Sequence, residues 1–247
     1  MPLKQLKKGM DFFMKLIRKL LLFILIVIII ISTIFYMNGH KLYEEATTKI
    51  SIDDKVSSIR NDENFVSIND LPSYYYNAII AVEDHRFYKH GAIDIIAISR
   101  AIVNNVKQWE FKEGGSTITQ QTAKNLYFIT EDDVANRKIA EILVAFDLEH
   151  KYSKEDILEL YFNTIYFGDG YYGIKEACNG YLNKEPKDMT ISEATMLAGV
   201  PNAPSVYAPT ANLDLTISRQ RKVISSMVEY GYLTQEEADG IALYKVH

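Results

Sequence analysis

Two adjacent carboxylates, Glu83 and Asp84, close an apolar helical stripe and are followed by His85, Arg86, Phe87, His90 and Gly91. Partial burial would raise a carboxylate pKa at that position, and a carboxylate so placed can serve as a general base. The same spacing fits a polar helix end whose acids pair with Arg86 and Lys89. A second segment, Gly114-Gly115-Ser116-Thr117-Ile118-Thr119-Gln120-Gln121 with Lys124 and Asn125 beyond it, leads glycines into a hydroxyl-rich helix start. Free backbone N–H groups there would suit a phosphate or pyrophosphate. It is not a nucleotide P-loop, because the lysine falls well inside the helix, and an ordinary capped helix gives the same pattern. Arg137, Lys138 and Glu141 share one helical face, so two cations and a carboxylate can converge; a solvated ion pair is the plainer meaning of that spacing. A fourth segment, Ile157 to Gly168, contains Glu159, Tyr161, Phe162 and Asn163 and is followed by Gly170 and Gly173. Its aromatic density and glycine turns fit a carbohydrate-facing cleft, and also fit simple packing.

The elements that must carry these residues read as helices. Asp70 is placed to cap a helix with Pro72 in its first turn, and Tyr75, Ala78, Ile79 and Val82 recur at the spacing of a buried face. Further helices are expected over 93–106, from Thr117 in a capping-box pattern, and over 134–151 with Ile139, Ile142, Leu143 and Phe146 as its core stripe. Ser153 with Asp156, Thr190 with Glu193, and Thr234 with Glu237 mark three more starts, and Gly231 marks a stop. Alternating runs are few, so the fold class is mainly α.

Before this domain, Leu20 to Met37 is an 18-residue run without charge, interrupted only by Ser32 and Thr33. A hydrocarbon core needs roughly 17–25 residues of this kind. Six of the 27 basic residues and one of the 32 acidic residues lie in 1–37, so a basic arm precedes the run and an acidic chain follows it. That asymmetry predicts an uncleaved signal anchor with the N-terminus cytoplasmic, and it excludes nucleic acid as a natural partner for the domain. The expected organisation is a basic arm over 1–19, a transmembrane anchor over 20–37, a stalk over 38–64 with a short strand near 65–68, a folded domain over 65–235 and a tail over 236–247. Trp109 and Phe111 sit in a charged loop that could dip into the membrane interface. The single cysteine, Cys178, excludes an intrachain disulfide and a multi-cysteine zinc site.

Together the four segments resemble the peptidoglycan glycosyltransferases, the monofunctional transglycosylases and the matching half of class A penicillin-binding proteins. The pattern E-D-x-x-F-x-x-H-x-G is met by Glu83, Asp84, Phe87, His90 and Gly91; G-G-S-T-I-T-Q-Q is met from Gly114 to Gln121. R-K-x-x-E is met by Arg137, Lys138 and Glu141, and I-L-E-x-Y-x-N by Ile157, Leu158, Glu159, Tyr161 and Asn163, with a proline-rich segment over 197–209. Phe162 stands where leucine is usual. The resemblance implies a lysozyme-like helical head with a small membrane-facing jaw, and polymerisation of lipid II by inverting transfer to an acceptor 4-hydroxyl, releasing polyprenyl pyrophosphate. It implies Glu83 and Glu141 as catalytic residues. It places Asp84, Phe87, His90, Ser116, Thr117, Gln120, Gln121, Lys124, Asn125, Arg137, Lys138 and Asn163 at the substrate. No cofactor is implied beyond a divalent cation, Mg or Mn, against the pyrophosphate. Partners would be lipid II, the growing glycan chain, the bilayer and other cell-wall synthesis proteins, at the outer face of a bacterial plasma membrane. Ending soon after residue 235, the sequence reads as the monofunctional subtype. A lysozyme-like glycosidase or an idle membrane scaffold are the competing readings. The first needs neither an anchor nor a cation cluster, and the second has no use for paired glutamates.

Overall fold

A first helix, α1 (Leu3–Lys49), carries the apolar run and continues beyond it without a break in the computed structural model, which describes residues 3–108 and 114–245. The window within Met10–Lys49 is long and apolar enough to cross a membrane, and its side chains are exposed. The remaining helices are α2 (Ile52–Arg60), α3 (Ser73–Glu83), α4 (Ile95–Gln108), α5 (Ile118–Tyr127), α6 (Val134–Lys151), α7 (Lys154–Thr164), α8 (Gly173–Leu182), α9 (Ile191–Gly199), α10 (Pro204–Tyr207), α11 (Leu213–Glu229) and α12 (Gln235–Asp239). The mainly α expectation holds; among the described residues extended pairing is limited to one bridge, Tyr166 with Tyr172.

Two groups of three helices build one core. α3, α9 and α11 pack on each other, as do α5, α6 and α7, and Tyr75 of α3 meets Phe162 of α7 edge to face across the groups. α7 is buried all round over 157–162, where Ile157, Leu158, Leu160, Tyr161 and Phe162 are fully buried, as expected of a helix at the centre of a domain. Tyr161, Phe162 and Phe167 of this segment are therefore packing, not a sugar-facing wall, while Tyr166 is exposed. Its following turn uses Gly168, Gly170 and Gly173 at positive φ, and at Gly173 a Cβ would also lie 2.7 Å from the Asn163 carbonyl.

Several local expectations change. The segment read as a stalk is helical, and Ile52 and Val56 of α2 are buried in the core, so the domain begins earlier than residue 65. No strand forms at 65–68. Instead Asn163 accepts from the Val66 N–H at 2.8 Å and donates to the Val66 carbonyl at 2.8 Å, while Glu159 accepts from Ile68 N–H at 2.9 Å. Two α7 side chains thus satisfy backbone groups that a sheet would otherwise have paired. Asp70 lies in a separate turn and does not cap α3, which starts after Pro72. In α6 the buried stripe is Ala140, Val144, Ala145 and Leu148, with Phe146 exposed and Ile139, Ile142 and Leu143 half-buried; the face read as core is displaced because α1 also packs along this helix. The capping boxes at Ser153, Thr190 and Thr234 form as expected, and Gly231 closes α11 at φ +79°.

Asn163→Ala should cost about 1–3 kcal/mol, since it strands a partly buried N–H and C=O of Val66. Denaturant unfolding of the detergent-solubilised chain checks this; a variant as stable as wild type would show that the clamp is dispensable.

Candidate active site

Asp84 ends α3 in a non-helical conformation, φ −157°, and this turn sends it and Glu83 in different directions. Asp84 points inward. Its Oδ2 accepts from Ile118 N–H at 3.0 Å and its Oδ1 lies 2.7 Å from His90 Nε2. A carboxylate at a helix N-terminus satisfies an orphan donor and complements the helix dipole. Thr117 caps the same helix by accepting from Gln120 N–H at 3.1 Å, but the reciprocal half of a capping box is missing because the Gln120 amide donates to the Ala92 carbonyl at 2.9 Å. The start of α5 is therefore filled from within the protein and is not an open phosphate cradle.

Glu83 faces a cleft of about 880 Å³, within the usual range for ligand sites. Its Oε1 accepts from Arg219 Nη2 at 3.0 Å and its Oε2 from Gln121 Nε2 at 3.1 Å. Tyr161 donates to the other end of the Gln121 amide at 3.4 Å, which fixes the amide with its N–H₂ toward Glu83. Arg86 and Lys89 do not pair with these acids. Arg86 instead holds Asp94 at 2.9 Å, and that carboxylate also accepts from Ile96 and Ala97 N–H. Burial works against the charge of Asp94, yet these N–H and guanidinium donors keep its pKa below the ordinary value.

Across the cleft, Glu141 is buried between cations. Lys138 Nζ lies 3.1 Å from Oε2 and Arg137 Nε 3.2 Å from Oε1, the latter as an ion pair whose N–H is not aligned for a hydrogen bond. Lys138 also donates to Ser116 Oγ at 2.9 Å, and Arg137 Nη1 to the Glu131 carbonyl at 2.6 Å. Lys124 lines the same wall, and among the described residues its side chain makes no hydrogen bond or ion pair.

Of the residues expected at the substrate, Glu83, Ser116, Gln120, Gln121, Lys124, Arg137, Lys138 and Glu141 come together around this cleft. Asp84, Phe87, His90, Thr117, Asn125 and Asn163 do not line it. Phe87 is fully buried, Asp84 and His90 hold the α3–α5 junction, Thr117 caps, and Asn163 clamps Val66. Trp109 and Phe111 lie outside the described residues. The sequence reading missed Arg100, Asn104, Arg219, Lys222 and Tyr230, which all line the cleft. A usable signal existed for α11, where Arg219, Lys222, Ser226 and Glu229 recur every three or four positions on the face adjoining the buried Val223 and Met227. His85 stacks on Tyr230 at 4.1 Å and accepts from Arg100 at 3.3 Å; burial and then the nearby guanidinium push its pKa down, so it is neutral at pH 7.

Both Glu141 oxygens lie beside cations, so a divalent cation against the pyrophosphate would take its remaining oxygen ligands from the substrate phosphates and water. Asp84, His90 and Asp94 lie close enough together to suggest a metal group, but their atoms are engaged by Ile118, Gly91, Arg86, Ile96 and Ala97.

Residues 53–228 match the family model described as Transglycosylase. The chain is 42% identical over 208 residues to penicillin-binding protein 1F of Bacillus subtilis (strain 168), an alignment covering 83% of this chain and 29% of that protein. It is 40% identical over 202 residues to penicillin-binding protein 1A of Neisseria lactamica, covering 81% and 25%. Among solved structures, penicillin-binding protein 1A of Haemophilus influenzae aligns over 74% of this chain and 18% of its own, at 22% identity and a TM-score of 0.39. The chain thus spans less than a third of the length of these curated relatives.

The Asp84–His90 contact predicts a pH dependence. Burial lowers the imidazole pKa, but the bonds to Asp84 and to the Gly91 carbonyl outweigh it and raise the pKa above its ordinary 6.5. A raised folded-state pKa contributes stability that is complete below the unfolded value and lost as pH climbs through the folded one. The melting temperature should therefore fall as pH rises from 6.5 into the alkaline range, and His90→Gln should flatten this arm. Identical pH profiles for the two proteins would contradict the assignment.

Proposed function

The chain belongs to the transglycosylase family, and from that premise we propose that it polymerises lipid II into peptidoglycan glycan strands. One observation carries the reading. In a chain with net charge −5, the cleft is lined by Arg100, Lys124, Arg137, Lys138, Arg219 and Lys222 against Glu83, Glu141 and Glu229. A positive cleft on an acidic protein concentrates anionic substrate, and a lipid pyrophosphate is such a substrate.

In the proposed reaction the acceptor 4-hydroxyl gives its proton to Glu83 as its oxygen attacks C1 of the donor chain. The C1–O bond to pyrophosphate breaks with inversion, and the electron pair leaves on the pyrophosphate. Arg219 and Gln121 hold Glu83 aimed into the cleft. The leaving group is already a good one, so it needs charge stabilisation more than a proton. Arg137, Lys138 and Lys124 supply that charge, and Glu141 fixes the first two in place. Glu141 is in this account a positioning carboxylate. A glycosidase would need its second carboxyl group free as acid or nucleophile, a role that clamping between two cations does not favour.

The apolar part of α1 would anchor the enzyme in a bacterial plasma membrane, with the basic arm cytoplasmic and the cleft outside. Lipid II, the growing chain and other cell-wall synthesis proteins are the proposed partners.

Glu83→Gln should lower polymerisation by about 10²–10⁴-fold while leaving donor binding nearly intact. Incubation of the solubilised enzyme with labelled lipid II, followed by sizing of the product, measures this. Arg137→Ala should also lose turnover, and Arg137→Lys should regain only part of it, because a point charge replaces a bidentate fork. Trimming of lipid-free glycan by wild type, with Arg137→Ala equally active, would replace the polymerase with a hydrolase.

A further inference from the structure

Gly39 is buried, two residues past the end of the apolar run, at a point where α1 touches the first turns of α6. A Cβ built on it would lie 2.5 Å from Ile139 Cβ, 2.7 Å from Ile139 Cγ2 and 2.9 Å from the Asn136 carbonyl oxygen. The last of these is backbone and cannot rotate away, so any larger residue must push the two helices apart. Small residues allow this kind of close approach between helices at a membrane.

One turn further along α1, Tyr43 donates to Asp147 Oδ2 at 2.7 Å, and that bond first, then burial, pushes the phenol up to about 12. Gly39 lies beside residues 136 and 139 and Tyr43 reaches 147, so the two helices run in the same sense. The start of α6 therefore points toward the membrane end of α1. At 1.5 Å per residue, Gly39 stands only about 3 Å along the helix from Met37, where the apolar run ends. Val134, in the turn just before, is 64% exposed, as suits a side chain at the edge of a bilayer.

Arg137 and Lys138 are in that same first stretch of α6. We propose that Gly39 is a positioning residue: by admitting α6 against the exit of the anchor helix, it sets the depth of Arg137 and Lys138 at the level of lipid phosphate groups. The lipid-borne pyrophosphate is then met where it already lies, without being drawn out of the membrane. This rests on the polymerase and anchor readings above, but adds that α1 is a rigid depth gauge for the site as well as a tether.

The test uses the full chain in proteoliposomes. A probe on Ala135→Cys, an exposed position on α6, reports depth through quenching by spin-labelled lipids; the native Cys178 is buried and takes up little label. Adding Gly39→Val should move the quenching profile, and it should lower turnover of bilayer lipid II about tenfold or more, given how steeply rate falls with misplacement, while turnover of a water-soluble short-chain analogue stays within roughly threefold. Gly39→Ala should give a smaller shift of the same kind and serves if the valine variant fails to fold. An unmoved quenching profile would overturn the proposal, as would equal losses on both substrates, which mark general distortion. Should wild type polymerise neither substrate, the polymerase reading fails, while the quenching comparison still decides whether Gly39 sets the depth.

Discussion

A buried carboxylate has to find donors, and Asp84 finds them at two places that sequence separates widely. It takes the first N–H of α5 and the imidazole of His90. The chain must leave helical geometry at Asp84 to do so, and this break turns Glu83, one residue earlier, toward the cleft. Asp84 thus governs the site without lining it. Loss of one partner would leave a charge uncompensated in the interior, a far larger penalty than the small gain of any surface pair. The E-D pair consequently divides its labour: one acid fixes the α3–α5 junction and the other faces the substrate.

The same requirement explains the rest of the cleft. Glu83 and Glu141 are both largely withdrawn from water; Glu83 is held by donors from α5 and α11, and Glu141 by Arg137 and Lys138 of its own helix. The Glu83–Gln121 bond, from α3 to α5, ties the two helix groups together across the cleft. Cations outnumber carboxylates there. The surplus charge is available to an anionic ligand. An acidic protein with such a cleft attracts anions to one place and discourages them elsewhere.

Local chemistry was the part most readable from sequence. Three capping boxes, the stop at Gly231 and the buried face of Tyr75, Ala78 and Ile79 all depend on residues within one or two turns of each other. Glu83, Lys138 and Glu141 were likewise legible, because their motifs are contiguous. What escaped were features decided by distant chain. Phe146 is exposed although its spacing marks it as core, because α1 and the domain share the faces of α6. Asn163 reads as a polar residue in an aromatic motif, yet it serves a backbone segment 97 positions earlier. Arg219 meets Glu83 across 136 positions, and no local pattern announces that pairing.

Arg219 also shows how much of a site lies in what surrounds its charged groups. To reach Glu83 it crosses Gly199, where a Cβ would sit 2.8 Å from its Cγ, and its Nε donates to the Gly199 carbonyl at 3.2 Å. Tyr207 lies 5.6 Å from the guanidinium, within cation–π range. The missing side chain at 199 makes room for the arginine stem, since a methyl there would force that stem to shift. Gly199 ends α9, the helix on which α3 and α11 both pack. The proline-rich segment that follows begins from this point, with Pro201 and Asn202 on the cleft wall. The glycine at this point of the motif answers a steric demand, leaving space beside α9 for the arginine of α11 to enter the site.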